Sequence, residues 1–422
     1  MKNLFKSIVL FKLNILAKIR LKRMGAKVIG ITGTVGKTTT KDAIVHILKQ
    51  KYKVRYSETG YNTEFGVPLM ILGLKSPHSS FIGWIKVLFQ GISKAFEKEK
   101  FDFVIAEMGV DKRGDMKQLL RLLRPQIAIF IQVARMHTAE GQFENEEDIL
   151  NEKMKIFSKQ KKHDIAIINI DDERIRRIKG KLHSSVITYG TRNEADVKIK
   201  NLAQSKDVIR FSAEFKRHSA QFNVPILGKH FVTCLAPAIV TAAIEGFTMN
   251  EIAESLTTFE LPRGRMNVIP GKKDSLIIDS SYNASPVAVE AALRLMNEIP
   301  SARRICALGQ MNELGQSSIA EHKKIGQLVP GACDLLVTVH GHAKYISDEA
   351  IKGGMSKSKV HHFKNSTEAG IYLAKELKKD DLVLVKGSQN NVLMERLVME
   401  IMKNKKDAPK LLVRQEKEWR KK

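Results

Sequence analysis

From Lys27 onward, short β-branched apolar runs alternate with longer stretches of helical period. KVIGIT (27–32), FVIAEM (103–108), IAIFIQV (127–133) and IAIINI (165–170) are continuous apolar runs of strand length. Strands of this kind are covered on both faces by crossover helices, so the pattern predicts a parallel sheet. VITYG, VKIKNL, VIRFSAEF and AQFNVPI, between about 186 and 226, have a more alternating texture that predicts antiparallel strands extending the first domain. Helices predicted over about 230–247 and 250–257 lead to LPRGR (261–265), where the spacing puts a domain boundary. A second βα series follows in SLIIDSS (275–281), RICALGQ (304–310), LLVTVHG (335–341) and LVLVKGS (382–388). The pattern thus predicts an α/β chain with two open domains, 26–260 and 261–404, whose ligands belong beyond the carboxyl ends of the strands.

The segment before the first strand has a different pattern. Leu4, Phe5, Ile8, Val9, Leu13, Leu16 and Ile19 recur near the helical period, with lysines between them. Residues 1–25 therefore predict a basic amphipathic helix. It either lies on an anionic membrane face or packs on its own domain. Lys12 interrupts the apolar stretch and no small-residue cleavage site follows, which argues against a signal peptide.

Charge sharpens that picture. The formal net charge is +26, and fourteen of those charges come from residues 1–27 and 403–422. Basic ends raise nucleic acid as a partner, but aromatic residues make up only 6% of the chain and no aromatic platform is interleaved with the charge, so nucleic acid is not expected. Residues 405–422 read as a basic tail. The chain has 422 residues, 43% of them hydrophobic, enough for two or three cores. Three widely spaced cysteines, Cys234, Cys306 and Cys333, suit neither a disulfide framework nor a four-cysteine zinc site, and fit a reducing cytoplasm.

The most specific chemistry lies between the first strand and the first helix of the sheet. Gly30-Ile-Thr-Gly33-Thr34-Val35-Gly36-Lys37-Thr38-Thr39 spaces its glycines so that backbone N–H groups and a helix N-terminus face one point. Such a loop cradles phosphates; Lys37 supplies charge and Thr38 a hydroxyl ligand for Mg²⁺.

The G-x-x-G-x-x-G-K-T spacing resembles that of the Mur ligases, and the resemblance continues along residues 26–400. Gly60-Tyr-Asn62-Thr63-Glu64-Phe65-Gly66 is similar to a substrate loop of the branch that adds D-alanyl-D-alanine. Ala106-Glu107-Met108-Gly109 resembles the strand end bearing a magnesium-binding Glu, and His137 the family's metal-binding His. Lys153, in Asn151-Glu152-Lys153-Met-Lys155, resembles the lysine that becomes carbamylated. Arg263-Gly264-Arg265 is similar to the domain-junction motif, Asp279-Ser280-Ser281-Tyr282-Asn283-Ala284 to a D-D-S-Y-N-A signature, and Lys386-Gly387-Ser388 to the closing K-G-S.

What the resemblance implies is a P-loop central domain with a parallel sheet, followed by a Rossmann-like α/β domain. The cofactors would be ATP and Mg²⁺. Lys37, Lys153, His137, Glu107 and Arg265 would be catalytic. ATP would be held by Gly33, Thr34, Val35, Gly36, Lys37, Thr38, Thr39, His230, Arg265 and Asp279, and Mg²⁺ by Thr38, Glu107, His137 and the carbamate of Lys153. Asn62, Thr63, Tyr282, Asn283 and Lys386 would contact substrate. A bare lysine ammonium about 4 Å from Mg²⁺ is repelled by about 8 kcal/mol at an effective dielectric of ~20, whereas a carbamate is attracted.

The implied activity is amide-bond formation through an acyl phosphate, with D-alanyl-D-alanine added to a UDP-MurNAc-peptide in cell-wall peptidoglycan synthesis. Phe231, Cys234, Ser280, Gln310 and Gln389 depart from the family pattern. Members also carry an N-terminal UDP-sugar-recognising domain, whereas about 25 residues precede the first strand here, so that domain is expected to be absent. A separate UDP-binding subunit could supply it, another acid could be the acceptor, or the basic helix could bring the enzyme to the inner face of the membrane. A catalytically degenerate nucleotide-binding partner protein is the non-enzyme alternative.

Overall fold

The computed structural model describes residues 2–58, 60–78, 80–134, 142–205, 207–389, 391–416 and 419. The first domain is built on β1 (Lys27–Thr32), β2 (Val54–Arg55), β3 (Phe103–Glu107), β4 (Ile127–Phe130), β5 (Ile165–Asn169), β6 (Ser185–Gly190), β7 (Val197–Gln204), β8 (Ile209–Phe215) and β9 (His218–Val224). They form one sheet in the order β2-β3-β1-β4-β5-β6-β7-β8-β9. β1 pairs in parallel with β3 on one side and β4 on the other, so the chain order reverses at its carboxyl end. A crevice opens there, and the phosphate-type loop enters it.

The segment between 186 and 226 is not wholly antiparallel. β6 runs parallel to β5 and β7 parallel to β6; only β7, β8 and β9 alternate in direction. The reason lies in the connection: the short helix Glu173–Arg176 lets the chain cross back before β6, and a local residue pattern does not encode that direction.

The second domain contains β10 (Asn267–Pro270), β11 (Leu276–Ser280), β12 (Arg303–Gly309), β13 (Leu335–Val339), β14 (Val360–Phe363) and β15 (Asp381–Lys386). Its sheet has the order β10-β11-β15-β12-β13-β14, parallel except for β10.

Helices α1 (Lys2–Met24), α2 (Lys37–Leu48), α3 (Gly66–Leu72), α4 (Phe81–Phe96), α5 (Asp115–Leu122) and α6 (Glu146–Met154) serve the first sheet. The Asn145 side chain caps α6 by accepting from the Asp148 N–H, and Glu146, Glu147 and Asp148 complement the positive end of the helix. The far end of α6 thereby presents Lys153.

The N-terminal helix packs on its own domain along one face. Val9, Leu13, Ala17 and Met24 of α1 are buried with Val28, Val67 and Val104 in the core under the sheet. Arg20 is buried too, and pairs with Glu97 and Glu99 at 3.3 and 3.6 Å. The basic end of the chain also folds further than expected. Residues 405–411 form two short helical turns, Leu412 is fully buried, and Arg414 pairs with Glu395 at 3.0 Å with both side chains inside. A buried leucine and a buried ion pair tie this segment to the second domain, so it is not a solvated tail as far as residue 416.

Candidate active site

β1 is a central strand, and Gly30 within it faces Pro125 and Met108; a Cβ there would come within 2.7 Å of the Pro125 ring. The loop after it turns on Gly36, which has φ +91° and caps α2. That conformation suits glycine, and a Cβ would meet Cys234 Sγ at 2.8 Å. The family position taken by Cys234 therefore packs beneath the loop. Thr34 stitches the loop to the segment after β4: its N–H donates to the Gln132 carbonyl at 2.9 Å, and its hydroxyl accepts from the Ala134 N–H at 3.0 Å. Thr39 is buried and Val35 and Gly33 complete the turn.

Three elements meet at Thr38. Its hydroxyl donates to Glu107 Oε2 at 3.1 Å, at the carboxyl end of β3, and accepts from Arg265 Nη2 at 3.1 Å, from the domain junction. The other Glu107 oxygen lies 3.6 Å from Lys41 Nζ, a buried ammonium that also donates to the Ser57 carbonyl. Lys37 donates to the Gly33 and Thr34 carbonyls at 2.8 and 3.3 Å, its ammonium held over the loop. Burial lowers the Lys37 pKa, with Glu107 and Asp111 acting against the shift.

Lys153 stands apart from these partnered groups. It is fully buried, and its Nζ has no hydrogen-bond partner among the described residues. The adjacent Glu152 is already engaged by the Met116 N–H at 2.9 Å and Lys155 Nζ at 2.6 Å. Burial first, and the Lys37 ammonium second, push Lys153 well below the ordinary lysine range, while Asp111, Glu152 and Asp115 oppose them. An unpaired ammonium in such a place is costly, and the group relieves that cost by giving up its proton. A neutral amine is the form that adds CO₂, so this site suits a carbamate, and the hydroxyl–carboxylate pair of Thr38 and Glu107 suits a hard divalent cation. His137, expected as a third ligand, lies outside the described residues.

A cavity of about 380 Å³ is lined by Lys6, Thr63, Phe65, Gly109, Asp111 and Asp115, among others. Asn62 lies against one wall, its carbonyl accepting from the Gly109 N–H at 3.0 Å. Tyr282 bridges the domains. The Arg265 guanidinium sits 4.3 Å from its ring centroid, and a methyl at Gly60 would fall 3.5 Å from its hydroxyl. Sequence reading missed what holds Tyr282: Arg414 donates to its carbonyl and to that of Ser281, at 2.5 and 3.3 Å, and the Arg414 guanidinium lies 5.5 Å from the Tyr282 ring centroid. Lys41 was missed as well, although it stands one helical turn after Lys37.

The remaining expected site residues divide by exposure. Asp279, expected at the nucleotide, is fully buried; its Oδ1 accepts from the Ser281 N–H at 3.0 Å, and burial raises its pKa to about 6. Lys386, expected at the substrate, is also buried, and donates to Ser280 Oγ and the Asn283 carbonyl, each at 3.0 Å. Burial lowers its pKa to about 7. The contacts of both residues shape the 280–283 turn. The Asn283 side chain also serves this turn by accepting from the Ala284 N–H. His230 is exposed and lines a second cavity of about 340 Å³ with Val287, Glu290 and Arg294, whereas Phe231 points into the core.

A P-loop sheet joined to a second α/β domain, with an arginine at the junction reaching the loop threonine, defines a two-domain nucleotide-dependent ligase. The chain matches the Mur ligase middle domain over residues 31–242 and the Mur ligase glutamate ligase domain over 264–389; it belongs to the Mur ligase family. It is 28% identical over 391 residues to the UDP-N-acetylmuramoyl-tripeptide–D-alanyl-D-alanine ligase of Bacillus subtilis, covering 92% of this chain and 79% of that protein. Among solved structures, MurF from Acinetobacter baumannii superposes with a TM-score of 0.78 at 24% identity, covering 93% of this chain and 80% of that one. The MurF ligase of Thermotoga maritima in complex with ADP gives 0.76 at 24% identity, covering 95% and 84%.

Proposed function

We propose that this chain is an ATP-dependent, ADP-forming carboxylate–amine ligase that joins D-alanyl-D-alanine to a UDP-N-acetylmuramoyl-peptide. The observation that carries the reading is the convergence of Lys37, Thr38, Glu107 and Arg265 beside the unpartnered amine of Lys153.

A triphosphate and a carboxylate repel each other, so an enzyme that joins them must first neutralise both. In this reading Lys37 and Arg265 draw charge from the phosphates, and the loop N–H groups orient them for in-line attack by the carboxylate oxygen. The γ-phosphoryl passes to that oxygen, and the bond to the β-phosphate oxygen breaks, leaving ADP and an acyl phosphate. The amine nitrogen then attacks the acyl carbon, the carbon–oxygen bond to phosphate breaks, and the proton released from nitrogen passes to the departing phosphate, leaving the amide. Mg²⁺ bound through Thr38, Glu107 and carbamylated Lys153, with His137 as the further ligand, would offset the charge of the phosphates. Thr63 stands on the wall of the cleft suited to the acceptor, with Asn62 beside it bonded to Gly109, and Tyr282, held between Arg265 and Arg414, on the side suited to the amine. The exposed His230 is suited to the nucleotide end.

Buried free cysteines accord with a reducing compartment, and the reading puts the enzyme in the cytoplasm with peripheral membrane contact through α1. The test is ADP release with Mg²⁺-ATP, UDP-MurNAc-tripeptide and D-alanyl-D-alanine, each omitted in turn. Release that needs both co-substrates, with the amide product's mass, supports the reading. ATP binding without that dual dependence overturns the assigned substrates; restoration of turnover by an added UDP-binding protein would identify a separate subunit.

A further inference from the structure

Ten of the fifteen large hydrophobic side chains exposed among the described residues lie on just two helices. On α1 they are Leu4, Ile8, Phe11 and Ile15, spaced four, three and four apart, so they form one stripe. On α4 they are Phe81, Ile82, Ile85, Phe89, Ile92 and Phe96, again one stripe. Neither is the core face: α1 buries Val9, Leu13 and Ala17, and α4 buries Val87, Gly91 and Ala95.

The two helices lie side by side and run in the same direction. Phe5 meets Phe81 near their N-termini, with ring centroids 4.3 Å apart; Leu16 comes within 3.1 Å of a Cβ built on Gly91 midway; and the Arg23 guanidinium lies 5.9 Å from the Phe96 ring centroid near their ends. At 100° per residue, each exposed stripe falls roughly a quarter-turn from the inter-helix seam, and on the same side of it. The pair therefore presents one continuous apolar face, about 24 Å long over the span of α4 at 1.5 Å per residue, pointing away from the sheet. A patch of this extent marks an interaction surface.

Charge selects the occupant. Neither helix contains an Asp or Glu. The α1 stripe continues beyond Ile15 as Lys18 and Lys22, both exposed, while exposed Lys86 borders the α4 stripe and exposed Lys12 stands between the α1 stripe and the seam. An apolar face with Phe, Leu and Ile, bordered by lysines and free of acids on its own helices, matches the headgroup–acyl boundary of an anionic bilayer. No helix among the described residues is long and apolar enough to cross a membrane, so the contact is interfacial. We propose that the paired outer faces of α1 and α4 dock this protein on an anionic lipid surface. Lys6, on the same α1 helix, lines the 380 Å³ cleft beside Thr63, so docking holds that wall of the cleft near the lipid.

The proposal deepens the peripheral membrane contact of α1 in the reading above, and it stands apart from the ligase chemistry because lipid binding requires neither nucleotide nor ligation. The test is co-sedimentation of the full-length protein with vesicles of phosphatidylcholine alone or mixed with phosphatidylglycerol. Binding at least tenfold tighter to the mixed vesicles, weakening as salt rises, is expected for the unaltered protein. The double variant Ile82→Glu/Phe89→Glu, at positions 79% and 71% exposed, should keep the wild-type melting temperature and bind at least tenfold more weakly. Lys18→Glu/Lys22→Glu should remove most of the preference for anionic lipid. Equal binding to both vesicle types, or no binding, overturns the proposal. So does a wild-type dimer that the Ile82/Phe89 variant converts to monomer while vesicle binding is unchanged; the face would then join two copies of the chain.

Discussion

Lys153 and Lys386 are both buried lysines, one in each domain, and burial lowers the pKa of both, yet their surroundings differ. Lys386 donates to Ser280 Oγ and the Asn283 carbonyl and so closes the turn that carries Tyr282. Lys153 has no hydrogen-bond partner among the described residues, although it lies close enough to Lys37 to feel its charge. Burial alone therefore does not distinguish a structural lysine from a reactive one; the partners do. A satisfied ammonium is part of the scaffold, whereas an unsatisfied one is poised to change its chemistry.

The largest expected effect separates the two lysines outright. Lys153→Ala should lower ADP-forming turnover by on the order of 10²–10³ or more while nucleotide still binds. Lys37→Ala should lose both, and steady-state ADP release alongside nucleotide titration distinguishes them. If Lys386→Ala abolished turnover as fully as Lys153→Ala, the contrast would be wrong. Chelation of divalent metal should likewise stop turnover and leave the fold intact, as read by circular dichroism.

Next in size is the contrast between the two faces of α1 and its neighbour α4. Leu13→Ala, in the core, should cost about 2–5 kcal/mol in urea unfolding, whereas Phe89→Ser, on the outer face, should change stability by no more than about 0.5 kcal/mol. A large loss at Phe89 would mean that this face packs against something within the fold.

A further contrast is a pH dependence at Lys386. Its folded pKa of about 7 lies below the ordinary lysine value of 10.5, so between those values the unfolded chain binds more protons and stability rises with pH. The penalty for burying the charge is fully present below about pH 7 and disappears above about 10.5. Lys386→Met lacks this term, so its stability relative to wild type should fall as pH rises from 7 toward 10. Parallel denaturation curves at the two pH values check it.

Much of the site was legible in the sequence because its chemistry is local. Lys37, Thr38 and Glu107 sit at strand ends that short apolar runs announce, and Arg265 sits at a visible boundary. What escaped was set by distant contacts. Lys41 reads like any helix lysine until Glu107 and the Ser57 carbonyl close over it. Arg414 was hidden inside a run of positive charge, and its role depends on Glu395 and on the turn at Ser281. Asp279 and Lys386 were read for ligand contact alone, because their burial and their bonds within the 280–283 turn cannot be seen in one dimension. The outward stripe of α4 was not singled out, since periodicity reveals that a helix has two sides without saying which side the sheet will cover.

Acyl-phosphate chemistry at the Lys37–Lys153 site is the central claim, and oxygen transfer tests it most directly. An acceptor that supports ADP release is labelled with ¹⁸O in its carboxylate, turned over once with Mg²⁺-ATP and the amine, and the released phosphate is weighed. The account predicts one ¹⁸O in the phosphate for each amide formed, and no such phosphate from Lys153→Ala. Amide formed with unlabelled phosphate would contradict it, because the carboxylate oxygen would then never have been bonded to phosphorus.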